Sequence, residues 1–348
     1  MVGFCWGVLV GSCVGNFLLP LVAVWRGHGE TQAEGGQGLR LSLTFRHPGL
    51  KRFVLLALPL MLGQSVVVLD EQLLRIFGSL AAPGAVSWLN YARRIMLVPV
   101  GVVAQAAGVA SYPFLAGLAA RGERERFDET LGQALRNTTA LLLPLAAWML
   151  VAAGPTVRLI FEQGRFGPAD TAATALCLQI MLVTVFCWGI QQLVGRAFYA
   201  TTDTLSPSLT GTAATLACLP AYWLLTRWLG APGAAIASAA SVAVYTLALA
   251  LLWRRRRGAG AFAGLGRTLA AAAGLSVPGL VVATGLAWGA SALLPGSPLT
   301  AAAATLILSG LGFGLTYLGL GAWLAPGLVH PILSRIPGLG RRWQGPGS

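Results

Sequence analysis

An all-α integral membrane protein of about nine transmembrane helices is the fold class the sequence predicts, and three observations predict it. Of the 348 residues, 56% are apolar and 10% are charged, against about a quarter charged in an ordinary soluble domain. The apolar residues gather in runs of ~20 or more, the length that crosses a ~30 Å hydrocarbon core as a helix. These runs lack the period-two alternation of barrel strands, and a helix satisfies its own backbone groups where water is absent. Nine runs qualify: 3–25, 53–77, 86–115, 138–161, 171–198, 207–228, 231–253, 268–294 and 299–324. A mean hydropathy of +0.72 agrees. So few charges could not cover a globular surface, which excludes a soluble enzyme.

Each element has its own signals. The first run has no basic stretch before it and no small-x-small cleavage site, so it reads as an uncleaved helix, not a signal peptide. Gly3, Gly7, Gly11 and Gly15 recur every fourth residue along it. Such a stripe lets another backbone approach closely, within the fold or in a dimer. Residues 27–47, rich in Gly, Gln and Glu, read as a flexible connector. Between the third and fourth runs, RGERERFDETLGQALR places Phe127, Leu131 and Leu135 four apart. That spacing predicts a short amphipathic helix lying on the membrane surface. Pro59, Pro99, Pro144, Pro155, Pro220 and Pro278 sit inside runs and read as kinks tolerated in a bundle. The last two runs, within 268–324, are Ala-, Gly- and Leu-rich and carry no charge.

Orientation follows from the cations. Alternate loops and the tail hold Arg26, Arg40, Arg46, Lys51, Arg52, Arg121, Arg124, Arg126, Arg136, Arg196, Arg254 to Arg257, Arg267, Arg335, Arg341 and Arg342, eighteen in all, while the opposite set holds only Arg158, Arg165 and Arg227. Cytoplasmic loops carry the excess of Lys and Arg, so the N-terminus is predicted outside and the C-terminus cytoplasmic. The net charge of +13 is therefore a topology signal. Without a basic stripe interleaved with aromatics, nucleic acid is not the expected partner. The run Arg254 to Arg257 reads as a topology anchor or a contact for anionic membrane lipids.

No catalytic motif is present, and an enzyme is not expected. His28, His47 and His330 are isolated, so no metal site is expected. Cys5, Cys13, Cys177, Cys187 and Cys218 lie in apolar runs without CxxC spacing and read as small buried hydrophobes. Without a Walker loop or a strand-associated GxGxxG, no cofactor is expected, and transport would draw on a gradient or the membrane potential.

Three arginines and two carboxylates fall in or beside the second and third runs: Asp70, Glu71, Arg75, Arg93 and Arg94. An intramembrane arginine costs roughly 2.5–3.5 kcal/mol on insertion scales, so the Arg93–Arg94 pair needs a partner or a cavity. Two readings stand. Asp70 or Glu71 pairs with Arg75 and with one of the two arginines, giving a structural polar seam. Alternatively, a water-filled cavity with surplus positive charge receives an anionic headgroup, for which the planar guanidinium suits phosphate. On this second reading Arg94 and Arg93 are the candidate substrate-binding residues, seven or eight residues in from the outer end of their run.

The segments SWLNYARRIMLVPVG (Ser87 to Gly101), ASYPFLAGLA (Ala110 to Ala119), RLIFEQGRFGPADTAATA (Arg158 to Ala175), GRAFYATTDTLSP (Gly195 to Pro207) and GAPGAAIASAASVAVYTLAL (Gly230 to Leu249) resemble MviN/MurJ-type flippases of the multidrug/oligosaccharidyl-lipid/polysaccharide exporter superfamily. The resemblance covers roughly residues 50–257. It implies two six-helix lobes plus two C-terminal helices, and alternating-access movement of lipid II, an undecaprenyl-pyrophosphate-linked peptidoglycan precursor, across the bacterial inner membrane. Arg94 matches the arginine of the family's YADR-like, cavity-lining segment, whereas Arg93 stands where many members have aspartate.

The implied organisation is residues 1–26 as the last helix of an N-terminal lobe whose first five helices are absent, and 27–52 as a cytoplasmic connector. Residues 53–257 form the second lobe, 258–325 two further helices that shape a lipid-tail groove, and 326–348 a cytoplasmic tail. The expected partners are a lipid-linked saccharide pyrophosphate, membrane lipids, and a separate N-terminal lobe or another copy of the chain. An exporter of another lipid-linked saccharide and a degenerate, non-transporting membrane scaffold are the competing readings. The turn residues Glu162, Arg165, Asp170, Asp203 and Thr204 read as structural, with Asp170 capping a helix that opens at Thr171.

Overall fold

The computed structural model describes residues 2–19, 21–22, 69–293 and 298–328. The connector 27–52, the first part of the second run, the three histidines and the C-terminal tail lie outside the described residues, as does the side chain of Cys5. The chain divides into units at residues 1–55 and 56–348. In the first, α1 (Val2–Cys13) runs into a π turn, Val14–Leu18. Its described side chains are exposed.

The second unit is a helical bundle. The first described helix, α2, covers 69–79, and Asp70, Leu74 and Gly78 at fourfold spacing make its buried face. Helix α3 (Ala85–Pro99) passes through a π turn (Val100–Gln105) into α4 (Ala106–Arg121). The turn follows directly on Pro99, whose ring removes an amide donor and clashes with the preceding turn.

Helix α5 (Arg124–Phe161) has 38 residues, roughly 57 Å at 1.5 Å per residue, well beyond the hydrocarbon thickness. It absorbs the stretch expected to form a separate surface helix. Phe127, Leu131 and Leu135 are buried among Leu115, Leu118, Leu193 and Trp253 instead of lying on lipid. A fourfold apolar period fits a membrane surface and a protein core equally well, and here the core wins.

Helices α6 (Pro168–Leu182) and α7 (Val185–Ala200) meet at a bend of 47°, the geometry of a broken span or of a re-entrant pair. Helix α6 opens at Pro168, three residues before the expected Thr171, with proline at the first helical position where its missing donor is harmless. Arg196, counted above as a loop residue, lies inside α7 and is half-buried. Helices α8 (Leu205–Ala217) and α9 (Leu219–Leu229) share a span broken at Cys218, with Pro220 just inside α9. Helix α10 (Ala231–Arg257) follows. At the α9–α10 corner, a Cβ on Gly233 would lie 1.9 Å from the Leu225 carbonyl oxygen, so only glycine permits that approach.

The last two helices, α11 (Leu265–Leu293) and α12 (Pro298–Leu324), pack on each other and on α5. Trp148 Nε1 donates to Ser309 Oγ at 3.3 Å, and Tyr317 Oη donates to the Ala140 carbonyl at 3.3 Å. Gly312 leaves room for Leu286, and Gly279 for Phe313. Among the described residues six helices are long and apolar enough to cross a membrane, or seven with the bent pair taken as one span. All seven coincide with expected runs, and the chain is a multi-pass, all-α membrane protein.

Candidate functional site

The sequence brings five ionisable residues to two adjacent helices, and folding sorts them into three environments. Asp70 and Arg93 are each 5% exposed and form a buried ion pair between α2 and α3. An isolated charge at this depth is costly, so the pair persists only because its remaining valences are filled. The Tyr222 hydroxyl on α9 donates to Asp70 Oδ1 at 2.6 Å, and Ser238 Oγ on α10 lies 3.2 Å from the same oxygen. The Arg93 guanidinium carbon stands 5.6 Å from the ring centroid of Trp188 on α7, within cation–π range. One carboxylate thus ties four helices together, with α7 joined through Arg93.

Glu71 and Arg75 form a second pair, one turn apart on α2, but this one is exposed. Consecutive residues on a helix point about 100° apart, which is why Asp70 faces the core while Glu71 does not.

Arg94 is the third case. It is exposed and has no hydrogen bond or ion pair with any described residue. It lies about 14 Å along α3 from Ala85, at 1.5 Å per residue, on a stripe that also exposes Ser87, Val98, Val102 and Gln105. None of the five donors of its guanidinium is used by a described residue. Such a group cannot face hydrocarbon cheaply, so this stripe lines water or another protein surface. Lower on the same side, Arg196 Nη2 donates to Gln105 Oε1 at 3.1 Å. A Cβ on Gly108 would come 2.6 Å from Arg196 Nε, so glycine there is what lets the arginine lie flat.

The loop blocks hold helix ends together. Asp170 accepts from its own helix's Gly167 N–H at 2.9 Å and from Trp88 Nε1 of α3 at 2.8 Å. Glu162 accepts from Thr171 Oγ1 at 2.7 Å and from Arg158 at 3.1 Å. The Thr171 hydroxyl and then Arg158 hold the Glu162 carboxyl below the usual glutamate range, against the opposing effect of desolvation. Asp203 accepts from the Ser206 N–H at 3.0 Å and from Arg256 at 2.6 Å, so one member of the arginine run is also a clamp. Among the described residues, no group of three or more His, Cys, Asp or Glu could hold a metal ion.

Tyr222, Ser238 and Trp188 were not singled out from the sequence. Their only advance signal is polarity or an aromatic ring inside an apolar run, a pattern shared by many side chains that do nothing comparable.

Comparison with known proteins identifies the fold and the family. A probable lipid II flippase MurJ of Bdellovibrio bacteriovorus is 26% identical over 205 residues, 59% of this chain and 38% of that protein. The probable lipid II flippase MurJ of Rhizobium meliloti is 32% identical over 208 residues, 59% of this chain and 36% of that protein. The chain therefore matches well under two thirds of the length of these relatives. A solved lipid II flippase MurJ in an inward closed conformation superposes with a TM-score of 0.65 at 20% identity, over 83% of this chain and 57% of that one, which establishes the fold. The family described as "Lipid II flippase MurJ" matches residues 1–305. With nearly all its described helices inside that match, the chain belongs to the MurJ lipid II flippase family.

Proposed function

We propose that this chain supplies the second lobe and the C-terminal helix pair of a lipid II flippase. It moves an undecaprenyl-pyrophosphate-linked peptidoglycan precursor from the inner to the outer leaflet of the bacterial inner membrane by alternating access. Residues 53–257 form the moving lobe and 258–325 the helix pair, joined through 27–52 to the helix at 1–26, with 326–348 as a tail. The N-terminus is outside and the C-terminus cytoplasmic. The rest of the opposing lobe, whose last helix is the one at 1–26, comes from the same polypeptide, a separate one or another copy of this chain.

The observation that carries this reading is Arg94, a guanidinium without a partner among the described residues, on the exposed face of an apolar span. A pyrophosphate offers paired oxygens that match its donor fork. Arg93 acts differently: its pair with Asp70 fixes the register of α3, and so aims Arg94 outward one position later. Arg93 is a positioning residue on this reading, and Arg94 makes the substrate contact. No ATP site takes part, so the lobe motion draws on a gradient or the membrane potential.

The test is binding and growth together. Purified chain should bind lipid II, and Arg94→Ala should weaken that binding about tenfold or more, the scale of a lost charge-assisted hydrogen bond. Co-expressed with an N-terminal lobe from a relative, the wild-type chain should restore growth of a flippase-depleted bacterium. Arg94→Ala at equal protein level should not. Unchanged binding and normal growth in the variant would remove Arg94 from the mechanism.

A further inference from the structure

The GRAFYATTDTLSP block does more than shape a turn. Tyr199, Thr201 and Thr202 line a cavity of about 570 Å³ at the end of the bundle where α4 stops, α5 starts and α7 and α10 terminate. That volume falls within the ~300–1,000 Å³ range of small-ligand sites. Thr202 has φ +62, a left-handed conformation that a β-branched residue rarely adopts, and it sits on the cavity wall.

The charged groups here divide into satisfied and unsatisfied. Glu123 is bonded to Arg121 at 2.6 Å and to Arg126 at 2.9 Å, and Arg256 is held by Asp203 and Ser206. Arg124, Arg257 and Asp128 also line the cavity, and none of the three makes a hydrogen bond or ion pair with a described residue. Trp253 also belongs to the lining, 1% exposed, stacked on Phe127 and edge-on to Phe198.

We propose that this cavity binds the headgroup of an aminophospholipid, with Arg124 and Arg257 on its phosphate and Asp128 on its ammonium. Two cations beside one carboxylate, none of the three hydrogen-bonded to another described residue, complement a headgroup that carries both charges better than a purely anionic one. The rings of Tyr112 and Tyr199 suit an ammonium and the glycerol backbone beside it. The site lies at a bundle end rich in arginine, where headgroups are found and cytoplasmic anionic charge is attracted. It goes beyond the flippase reading and shares no residue with it: Tyr112 lies eighteen positions after Arg94, ~27 Å along a helical path.

Native mass spectrometry of the full chain, with dioleoyl phosphatidylethanolamine, dioleoyl phosphatidylglycerol or inorganic phosphate added, tests it. One phosphatidylethanolamine should be retained about tenfold better than phosphatidylglycerol, and millimolar phosphate should not displace it. Arg124→Gln with Arg257→Gln should lower retention about tenfold, the scale of one charge-assisted hydrogen bond. Asp128→Asn should abolish the preference for the amine while leaving phosphatidylglycerol unchanged. Arg254→Gln with Arg255→Gln, the same charge change on exposed residues outside the cavity, should have no effect. The proposal is overturned by equal retention of the two lipids, by displacement with phosphate, or by an equal loss in the control pair. The substituted arginines are exposed, so these variants keep the fold, and elution as a single species checks it.

Discussion

At the scale of single residues, two neighbouring arginines show how one step along a helix changes what a charge does. Arg93 is buried and paired, while Arg94 is exposed and has no partner among the described residues. Removing one partner of a buried pair leaves the other charge uncompensated, a loss of about 3–5 kcal/mol. Asp70→Asn and Arg93→Gln should each destabilise the fold by that amount in detergent unfolding. The double variant should cost less than the two losses added together, because the groups share one interaction. Arg94→Ala should stay within about 0.5 kcal/mol of wild type, as exposed substitutions do. If Arg94→Ala proves as destabilising as Arg93→Gln, the two side chains do not occupy the environments described. The sequence announced that these residues were exceptional, because charge in an apolar run is costly wherever it falls. It could not say which of the two found a partner, since Tyr222 and Ser238 lie over 150 positions from Asp70.

At the scale of elements, helix packing here depends on what is missing from glycine positions. The corner between α9 and α10 is closed by Gly233, where an added Cβ would meet backbone atoms of Leu225 at 1.9 and 2.4 Å. Backbone cannot rotate away as a side-chain tip can, so Gly233→Ala must force the two helices apart. Overpacking of this kind costs typically 1–3 kcal/mol, offset by less than about 1 kcal/mol from alanine's better helix propensity. Gly285, in the exposed stretch of α11, meets nothing within 4 Å. Gly285→Ala should therefore be neutral or slightly stabilising, and thermal unfolding of the two variants side by side checks the contrast. Glycine content alone marked neither position, since both lie in apolar helical runs. What could be read in advance was the order of the described spans and, apart from the start of α5, roughly their extent, because a run long enough to cross the bilayer has few alternatives. The destination of an apolar face could not. Phe127, Leu131 and Leu135 carry the same period whether they meet lipid or Trp253, and only the ends of α4, α7 and α10 decide between them.

At the scale of the whole molecule, the excess of arginine has two uses that the composition merges into one number. Several members of the run-flanking set also lock helix ends: Arg136 donates to the Ala263 carbonyl at 2.8 Å, and Arg256 holds Asp203. Structural use does not weaken the topology argument, because the bias is set by which side of the membrane retains the charges, not by whether they are later paired. Arg196, inside α7, belongs less securely to that set, yet removing it leaves seventeen against three. The orientation can be read with a pair of cysteines at opposite bundle ends. Gly258 is the obvious site on the face expected to be cytoplasmic, but its φ of +96 would strain any side chain placed there. Ala259, exposed and at φ −95, takes a cysteine without that penalty. Arg165, exposed in the turn between α5 and α6, is its counterpart. In intact cells an impermeant thiol reagent should label Arg165→Cys and leave Ala259→Cys unmodified, after subtracting the labelling of the wild-type chain, whose Cys13 is exposed. Permeabilised cells should label both. The reverse pattern would place the C-terminus outside, and with it the arginine-lined cavity at the end of α10 on the opposite face of the membrane.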